Sequence, residues 1–328
     1  MKLVIPLAGY GTRMRPHTYV RPKPLINVAG KPVLAHILDR FQGFDIDEAI
    51  FIVGYMGDQI AEYVDTHYTF PVTRYVEQRE LKGQAHALWL ARDYLSGPLF
   101  IIFVDTIADG SLDVVRSTDA DGIAFVKEVE DPRRFGIAMT DEEGRIVRFV
   151  EKPDTMEHRL ALIGLYWLRE GRQLVEAIEE LLARDIQTKG EYYLADALQL
   201  MIDRGALFRP QEVDVWKDCG TIEATLDTNR YLLAHGAAND GRFSFPQGVV
   251  IPPSYVGEGV TIERAVVGPY ATVLDGAVIR DALVRDAIVG EGTTIESALV
   301  EHSIIGPKAR VRGTFQRLNI VDTSWVEE

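Results

Sequence analysis

The segment Leu7-Ala8-Gly9-Tyr10-Gly11-Thr12-Arg13 is a glycine turn surrounded by cations: Arg13, Arg15, Arg21, Lys23 and Lys31 all come before Asp39, the first acidic residue. Gly9 and Gly11 permit torsions and close approaches that a Cβ forbids, so successive backbone N–H groups can point at phosphate oxygens. Five cations without a carboxylate repel one another unless an anion balances them. In a chain of formal net charge −14 this stretch reads as a local pocket for a phosphorylated ligand.

Two familiar phosphate-binding loops do not fit. A dinucleotide fingerprint needs a third glycine where Met14 stands and an acidic residue about 20 positions further on. The first acid, Asp39, falls inside an expected helix instead. A P-loop needs Gly-Lys followed by Ser or Thr after its spacer, and this turn does not supply it.

The turn follows an apolar run at 2–7 that reads as a first strand, placing it at a strand's carboxyl end, where open α/β sheets bind ligands. Further strands are expected at 49–53, 72–76, 99–104 and 122–126, alternating with helices near 33–41, 60–67 and 84–94. Helices near 171–183, 195–204 and 222–234 complete the unit. The order implies an α/β fold over residues 1–236, with a mainly parallel, doubly wound, Rossmann-like sheet of mixed type.

Past the small, polar segment 237–242, a plausible linker, the texture changes. Val256, Ile262, Val267, Val273, Ile279, Val284, Val289, Ile295, Val300, Ile305 and Val311 recur at steps of five or six, with small or polar residues such as Gly257-Glu258-Gly259 between them. A step of six is too long for a helical turn and unlike the period-two strands of a β-sandwich. It matches hexapeptide β-solenoids, in which each aliphatic points inward, and resembles left-handed parallel β-helices. Three positions per coil give roughly three and a half coils within 243–328. The tail from Gly313, with Phe315, Leu318, Ile320 and Trp325, is expected to cover an open end.

Bulk properties narrow the partners. At 47% hydrophobic and 26% charged residues the chain is an ordinary globular protein, long enough at 328 residues for two domains. Its acidic balance opposes non-specific binding to nucleic acid or anionic membranes. No run of about 18 apolar residues and no signal-peptide pattern is present, so a cytoplasmic protein is expected. The single cysteine, Cys219, excludes an intrachain disulfide and any multi-cysteine metal site, and the histidines show no metal-ligand spacing.

The chain resembles the sugar-1-phosphate nucleotidyltransferase family. Ile5-Pro6-Leu7-Ala8-Gly9-Tyr10-Gly11-Thr12-Arg13-Met14-Arg15-Pro16, then Pro22-Lys23-Pro24-Leu25 and Gly30-Lys31-Pro32, are similar to its signature. Later motifs follow in order: Gln78 with Gly83, Asp105 after an apolar strand, Phe135-Gly136, Glu151-Lys152-Pro153, Gly164-Leu165-Tyr166, Glu191-Tyr192-Tyr193-Leu194-Ala195-Asp196 and Trp216-Lys217-Asp218-Cys219-Gly220-Thr221. The resemblance covers the first 235 residues. The added solenoid, with Asn319-Ile320-Val321-Asp322-Thr323-Ser324, is similar to the long-form glucose-1-phosphate thymidylyltransferases and related uridylyltransferases.

That resemblance implies attack of a sugar-1-phosphate oxygen on the α-phosphorus of a pyrimidine nucleoside triphosphate, dTTP or UTP, giving a nucleotide sugar and pyrophosphate. A phosphate monoester has its second pKa at about 6, so the nucleophile is ionised without a catalytic base. The difficulty is to join two polyanions and stabilise charge on the departing pyrophosphate. The resemblance implies Arg13 as the transition-state clamp, Lys23 on the α-phosphate region and Lys152 on the sugar phosphate. Asp105 and Asp218 would together hold one Mg²⁺. Leu7, Ala8, Gly9, Gly11 and Thr12 would line the nucleotide. Gln78 would exchange a donor and an acceptor with the base, which Gly83 allows to approach closely. Gly136, Glu151 and Gly164 would line the sugar, with Glu151 accepting from its hydroxyls.

Some positions depart from the family's usual pattern. Ala8 replaces a common glycine, Val104-Asp105-Thr106 replaces Gly-Asp-Asn, Arg159 stands where asparagine is frequent, and Leu162-Ile163 stand where a hydroxyl is frequent. The last two leave the sugar's identity open. In some relatives a longer β-helix is an acetyltransferase with a catalytic histidine; here His302 is the one histidine among the repeats. The solenoid is expected instead to assemble copies of the chain into a homo-oligomer. A silent regulatory subunit is the alternative from another class, opposed by the presence of Arg13, Lys23, Asp105, Lys152 and Asp218.

Overall fold

The computed structural model describes residues 1–313, so the expected cap by Phe315, Leu318, Ile320 and Trp325 lies outside the described residues. Two compact units emerge: one is Met1–Ile26 with Pro32–Ala224, the other Asn27–Lys31 with the chain from Thr225 onward.

In chain order the first elements are β1 (Lys2–Pro6), the short β2 (Asn27–Val28) and β3 (Lys31–Pro32), α1 (Val33–Asp39), β4 (Glu48–Val53), α2 (Gly57–His67), β5 (Val72–Glu77), α3 (Gln84–Leu90) and β6 (Leu99–Ile102). Strands β5, β4, β1 and β6 lie side by side and parallel, as the β–α alternation requires. Parallel strands covered on both faces need apolar residues at consecutive positions rather than alternate ones. Hence Leu3, Val4 and Ile5, Ala49–Val53 and Leu99–Ile102 are all buried, with Ala85 and Leu88 of α3 packed into the same core as Val4, Ile50, Ile52 and Ile101.

The second half follows as β7 (Thr106–Asp109), β8 (Gly122–Glu128), β9 (Gly136–Thr140), β10 (Ile146–Glu151), β11 (Leu160–Leu168), α4 (Gly171–Ala183), α5 (Leu194–Asp203), β12 (Phe208–Glu212) and β13 (Val215–Asp218). The nine-stranded sheet has the order β5-β4-β1-β6-β11-β8-β12-β10-β9. It is mixed as expected but not mainly parallel, because β11 runs antiparallel to both β6 and β8, and β10 antiparallel to β12 and β9. Leu160–Leu168 is a nearly continuous apolar run, and such a run carries no mark of its direction. Apart from this sheet, β7 and β13 form an antiparallel pair that sets Asp218 opposite Thr106.

The second unit takes in most of α6 (Ile222–Leu232) and a stack of short strands: β14 (Gly248–Val250), β15 (Tyr255–Val256), β16 (Thr261–Glu263), β17 (Ala265–Val267), β18 (Ala271–Val273), β19 (Val278–Arg280), β20 (Leu283–Val289), β21 (Thr294–Glu296), β22 (Leu299–Ile305) and β23 (Arg310–Arg312). Every pairing between them is parallel and joins one rung to the next, which is a parallel β-helix. All eleven aliphatic positions of the repeat turn inward or pack on the core, and Val250 adds a twelfth at the first rung. Residues near 237–242 are bonded to the first rung: Asn239 accepts the Val256 N–H at 2.8 Å and donates to its carbonyl at 2.7 Å.

Candidate active site

The glycine turn leaves β1 toward the cavity. Leu7 N–H donates to the Ile52 carbonyl at 2.7 Å, extending the ladder by one residue before the chain turns. Gly11 has φ +61°, and a Cβ there would lie 2.9 Å from Thr18 Cγ2 and 3.1 Å from Lys23 Cβ. The turn thus packs directly on the segment that carries Lys23. Gly9 differs, since the place of its Cβ has no neighbour within 4 Å. Met14, where the dinucleotide loop would have glycine, is buried and anchors the single 3-10 turn Thr12–Met14 to the core.

Two adjoining cavities open beside this turn. The first, of about 360 Å³, is lined by Leu7, Ala8, Gly9, Gly11, Thr12, Arg13, Lys23, Gln78, Gly83 and Asp105. The second, of about 380 Å³, is lined by Arg13, Asp105, Gly136, Glu151, Lys152, Gly164 and Asp218. Arg13, Asp105, Gln84 and Phe103 belong to both walls and mark where they meet. The residues expected to hold nucleotide, sugar, phosphate or metal all line one of the two spaces. The five-cation cluster does not converge in the same way. Only Arg13 and Lys23 of the five line these walls; Arg15 stacks over the Tyr19 ring at 5.0 Å, and Lys31 belongs to the other unit.

Carboxylates and cations interleave at the junction. Lys23 Nζ is 3.2 Å from Asp105 Oδ2, and Cys219 N–H donates to the Asp105 carbonyl at 3.1 Å, tying the turn that carries Asp105 to the end of β13. Asp218 Oδ1 accepts the Gly220 N–H at 2.7 Å. A Cβ on Gly220 would lie 3.0 Å from Arg13 Nη2, so the guanidinium rests against this same turn. Partial burial pushes the Asp218 carboxyl above the usual range and the Asp105 charge adds to this, while the Gly220 N–H, Lys23 and Arg13 oppose it.

Two like charges held together at a cavity wall are the donor set of a hard cation. No group of three potential ligands among His, Cys, Asp and Glu occurs among the described residues, so a complete protein cage is absent there. A pair of carboxylates fits Mg²⁺, which keeps several waters and takes its remaining oxygens from substrate phosphates.

The second cavity is shaped by Lys152, whose backbone is left-handed at φ +48° and whose N–H donates to the Phe135 carbonyl at 3.0 Å. Its Nζ stands 3.8 Å from Glu151 Oε1. Burial raises the Glu151 carboxyl, with Lys152 and Lys189 pulling it back down and Asp196 adding to the rise. Gln78, which could have been an exposed loop amide, is 6% exposed and donates to the Gly83 carbonyl at 3.4 Å. Gln84, Phe103, Arg134, Tyr166 and Trp216 also line the walls and were not among the expected site residues. Tyr166 carried a usable signal, since it lies two residues along a strand from Gly164. Lys189 carried none, since only the folded chain brings its charge to Glu151.

Residues 2–235 match the sequence pattern of the family described as Nucleotidyl transferase. The chain belongs to that family. The glucose-1-phosphate thymidylyltransferase of Streptomyces antibioticus is 30% identical to this nucleotidyl transferase over 305 residues, spanning 85% of this chain and 84% of the relative. The bifunctional protein GlmU of Methanocaldococcus jannaschii is 32% identical over 233 residues, 71% of this chain and 54% of that protein. Among solved structures, a UDP-glucose pyrophosphorylase complexed with UDP-glucose superposes with a TM-score of 0.62 at 22% identity, over 71% of this chain and 98% of the other, a likeness of fold.

Proposed function

We propose that this nucleotidyl transferase makes a nucleotide sugar and pyrophosphate from a sugar-1-phosphate, most simply glucose-1-phosphate, and a pyrimidine nucleoside triphosphate, dTTP or UTP. The observation that carries the reading is the pair of cavities meeting at Arg13 and Asp105: one walled by the glycine turn, Gln78 and Gly83, the other by Gly136, Glu151, Lys152 and Gly164. A reaction between two phosphorylated substrates needs two such spaces with shared charge at the seam. In this reading Leu7, Ala8, Gly9, Gly11 and Thr12 cradle the triphosphate, and Gln78 with Gly83 receives the base. Lys23 holds the α-phosphate, Lys152 the sugar phosphate, and Glu151 a sugar hydroxyl. The sugar phosphate oxygen forms its bond to the α-phosphorus as the bond to the β-phosphate oxygen breaks, and both electrons of that bond leave on pyrophosphate beside Arg13. Mg²⁺ bound at Asp105 and Asp218 would supply further positive charge to the phosphate oxygens.

Glucose-1-phosphate thymidylyltransferase relatives support this choice of sugar and base, and covering most of this chain they support one activity rather than two. The test is pyrophosphate release with Mg²⁺ across five nucleoside triphosphates and the 1-phosphates of glucose, mannose and N-acetylglucosamine. Strong turnover is expected with dTTP or UTP and glucose-1-phosphate; turnover confined to purine triphosphates would overturn the base assignment, and silence throughout would overturn the reaction.

The division of labour we attach to this is a catalytic region over 1–236 and an assembly element over 243–328, in a cytoplasmic protein with a single buried thiol at Cys219. No helix among the described residues is long and apolar enough to cross a membrane. The solenoid's faces differ in a way that supports self-assembly. One carries the alternating charges Glu263, Arg280, Glu296 and Arg312, and a second carries buried Thr272 and Ile288. The third carries Val249, Val266, Leu283 and Leu299 in register and pointing outward, with Val249 55% and Leu299 81% exposed. A homo-oligomer that covers this column is expected to give a dimer or trimer mass by light scattering at micromolar concentration. A monomer mass would remove the assembly role. For acetyl transfer the solenoid offers His302, whose Nδ1 is 3.1 Å from Asp286 Oδ2 in a cluster closed by Arg230.

A further inference from the structure

The short β2–β3 hairpin leaves the signature segment and is held by the solenoid unit. Only Pro24, Leu25 and Ile26 separate Lys23 from it. At its base, Val33 N–H donates to the Ile26 carbonyl and Ile26 N–H to the Lys23 carbonyl, each at 3.1 Å. These bonds leave little slack between Lys23 and the hairpin.

The tip is seated on one buried amide. Ala29, in the left-handed region at φ +48°, donates its N–H to Asn229 Oδ1 at 2.9 Å. Thr272 Oγ1 donates to the same oxygen at 2.7 Å, and Asn229 Nδ2 donates to the Tyr270 carbonyl at 3.1 Å. Asn229 is 0% exposed. Beside it, Asn27 Nδ2 donates to Glu291 Oε1 at 3.1 Å, and Gly30 lies so close to Tyr255 that a Cβ would stand 2.4 Å from the ring. A buried amide with these bonds made is costly to displace, because each group left unmet keeps its full desolvation penalty.

We infer that Asn229 is a positioning residue for the transfer reaction: it fixes the Asn27–Lys31 hairpin to the solenoid and thereby the place of Lys23 in the first cavity. The inference rests on the role given to Lys23 above. It gives the solenoid a part in turnover as well as in assembly. Chain continuity and the hydrogen bonds at the hairpin's base carry the effect, and no group of the solenoid itself need touch substrate.

The experiment uses the full chain in four altered forms beside the unaltered one. Asn229→Ala removes the seat. A second variant keeps every side chain and inserts two glycines after Ile26 and two after Lys31, lengthening only the tether. Both are expected to lose about tenfold or more in kcat, with KM for the triphosphate changing by less than about threefold, since displacement of a catalytic group by about 1 Å suffices for such losses. In the third form, Lys23→Ala, adding Asn229→Ala should cost less than about twofold, because the group it positions is gone. An insertion variant with unaltered kcat, or an equal fractional loss from Asn229→Ala with and without Lys23, overturns the inference. If Asn229→Ala fails to fold, the insertion variant decides. No turnover in the unaltered protein counts against the proposed reaction instead.

Discussion

Arg13→Ala is expected to lower kcat at least about a hundredfold, the order seen when a preorganised charge donor at a transition state is removed. Arg13 lines both cavities and rests against the Gly220 turn, so its charge is in place before the phosphates arrive. In the proposed reaction the negative charge it would face grows as pyrophosphate departs, which would make its contribution larger in the transition state than in the bound substrates. KM should therefore change far less than kcat. Arg13→Lys should recover only part of the loss, because an ammonium offers a point charge in place of a planar fork of donors. The side chain is exposed, so both variants should melt close to the unaltered protein, within about 0.5 kcal/mol of its stability. Steady-state kinetics beside thermal melts test this, and near-normal kcat in Arg13→Ala would remove Arg13 from the reaction.

What could be read before folding was whatever a local pattern enforces. Solenoid positions from Val256 to Val311 were legible because each rung repeats one demand, an aliphatic pointing inward, and Val250 escaped because it stands before the repeat is established. The parallel half of the sheet was legible from alternation of strand and helix. The antiparallel half was not, since Leu160–Leu168 reads the same in either direction. Charge clustering in sequence overstated the anion pocket, because Arg15 spends its guanidinium on Tyr19 and the chain carries Lys31 into the other unit. Long-range pairing was the least legible of all. Nothing around Ala29 announces that its N–H will meet Asn229, 200 residues further along. Cavity residues such as Phe103 and Trp216 look like ordinary core aromatics until the fold shows which face they turn to the space.

Asp218→Asn tests the metal reading most directly. The substitution keeps the size of the side chain and an oxygen able to accept the Gly220 N–H, so the turn after β13 should hold. What it removes is one of two charges that the fold has brought together; burial first, and the Asp105 charge after it, raise the Asp218 carboxyl above its usual range. Holding such a pair costs folding free energy unless a cation occupies the site, and each carboxylate then contributes to binding it. The Mg²⁺ concentration for half-maximal turnover is expected to rise by about tenfold to a hundredfold, and Asp105→Asn should shift it in the same direction. Asp105→Asn should also act through a second route, because Lys23 loses its charged partner at 3.2 Å and with it a restraint on its position in the first cavity. Saturating Mg²⁺ should accordingly restore more of the activity of Asp218→Asn than of Asp105→Asn. A magnesium titration unchanged by Asp218→Asn would take Asp218 out of the metal shell and leave it as the acceptor that fixes Gly220 beneath Arg13.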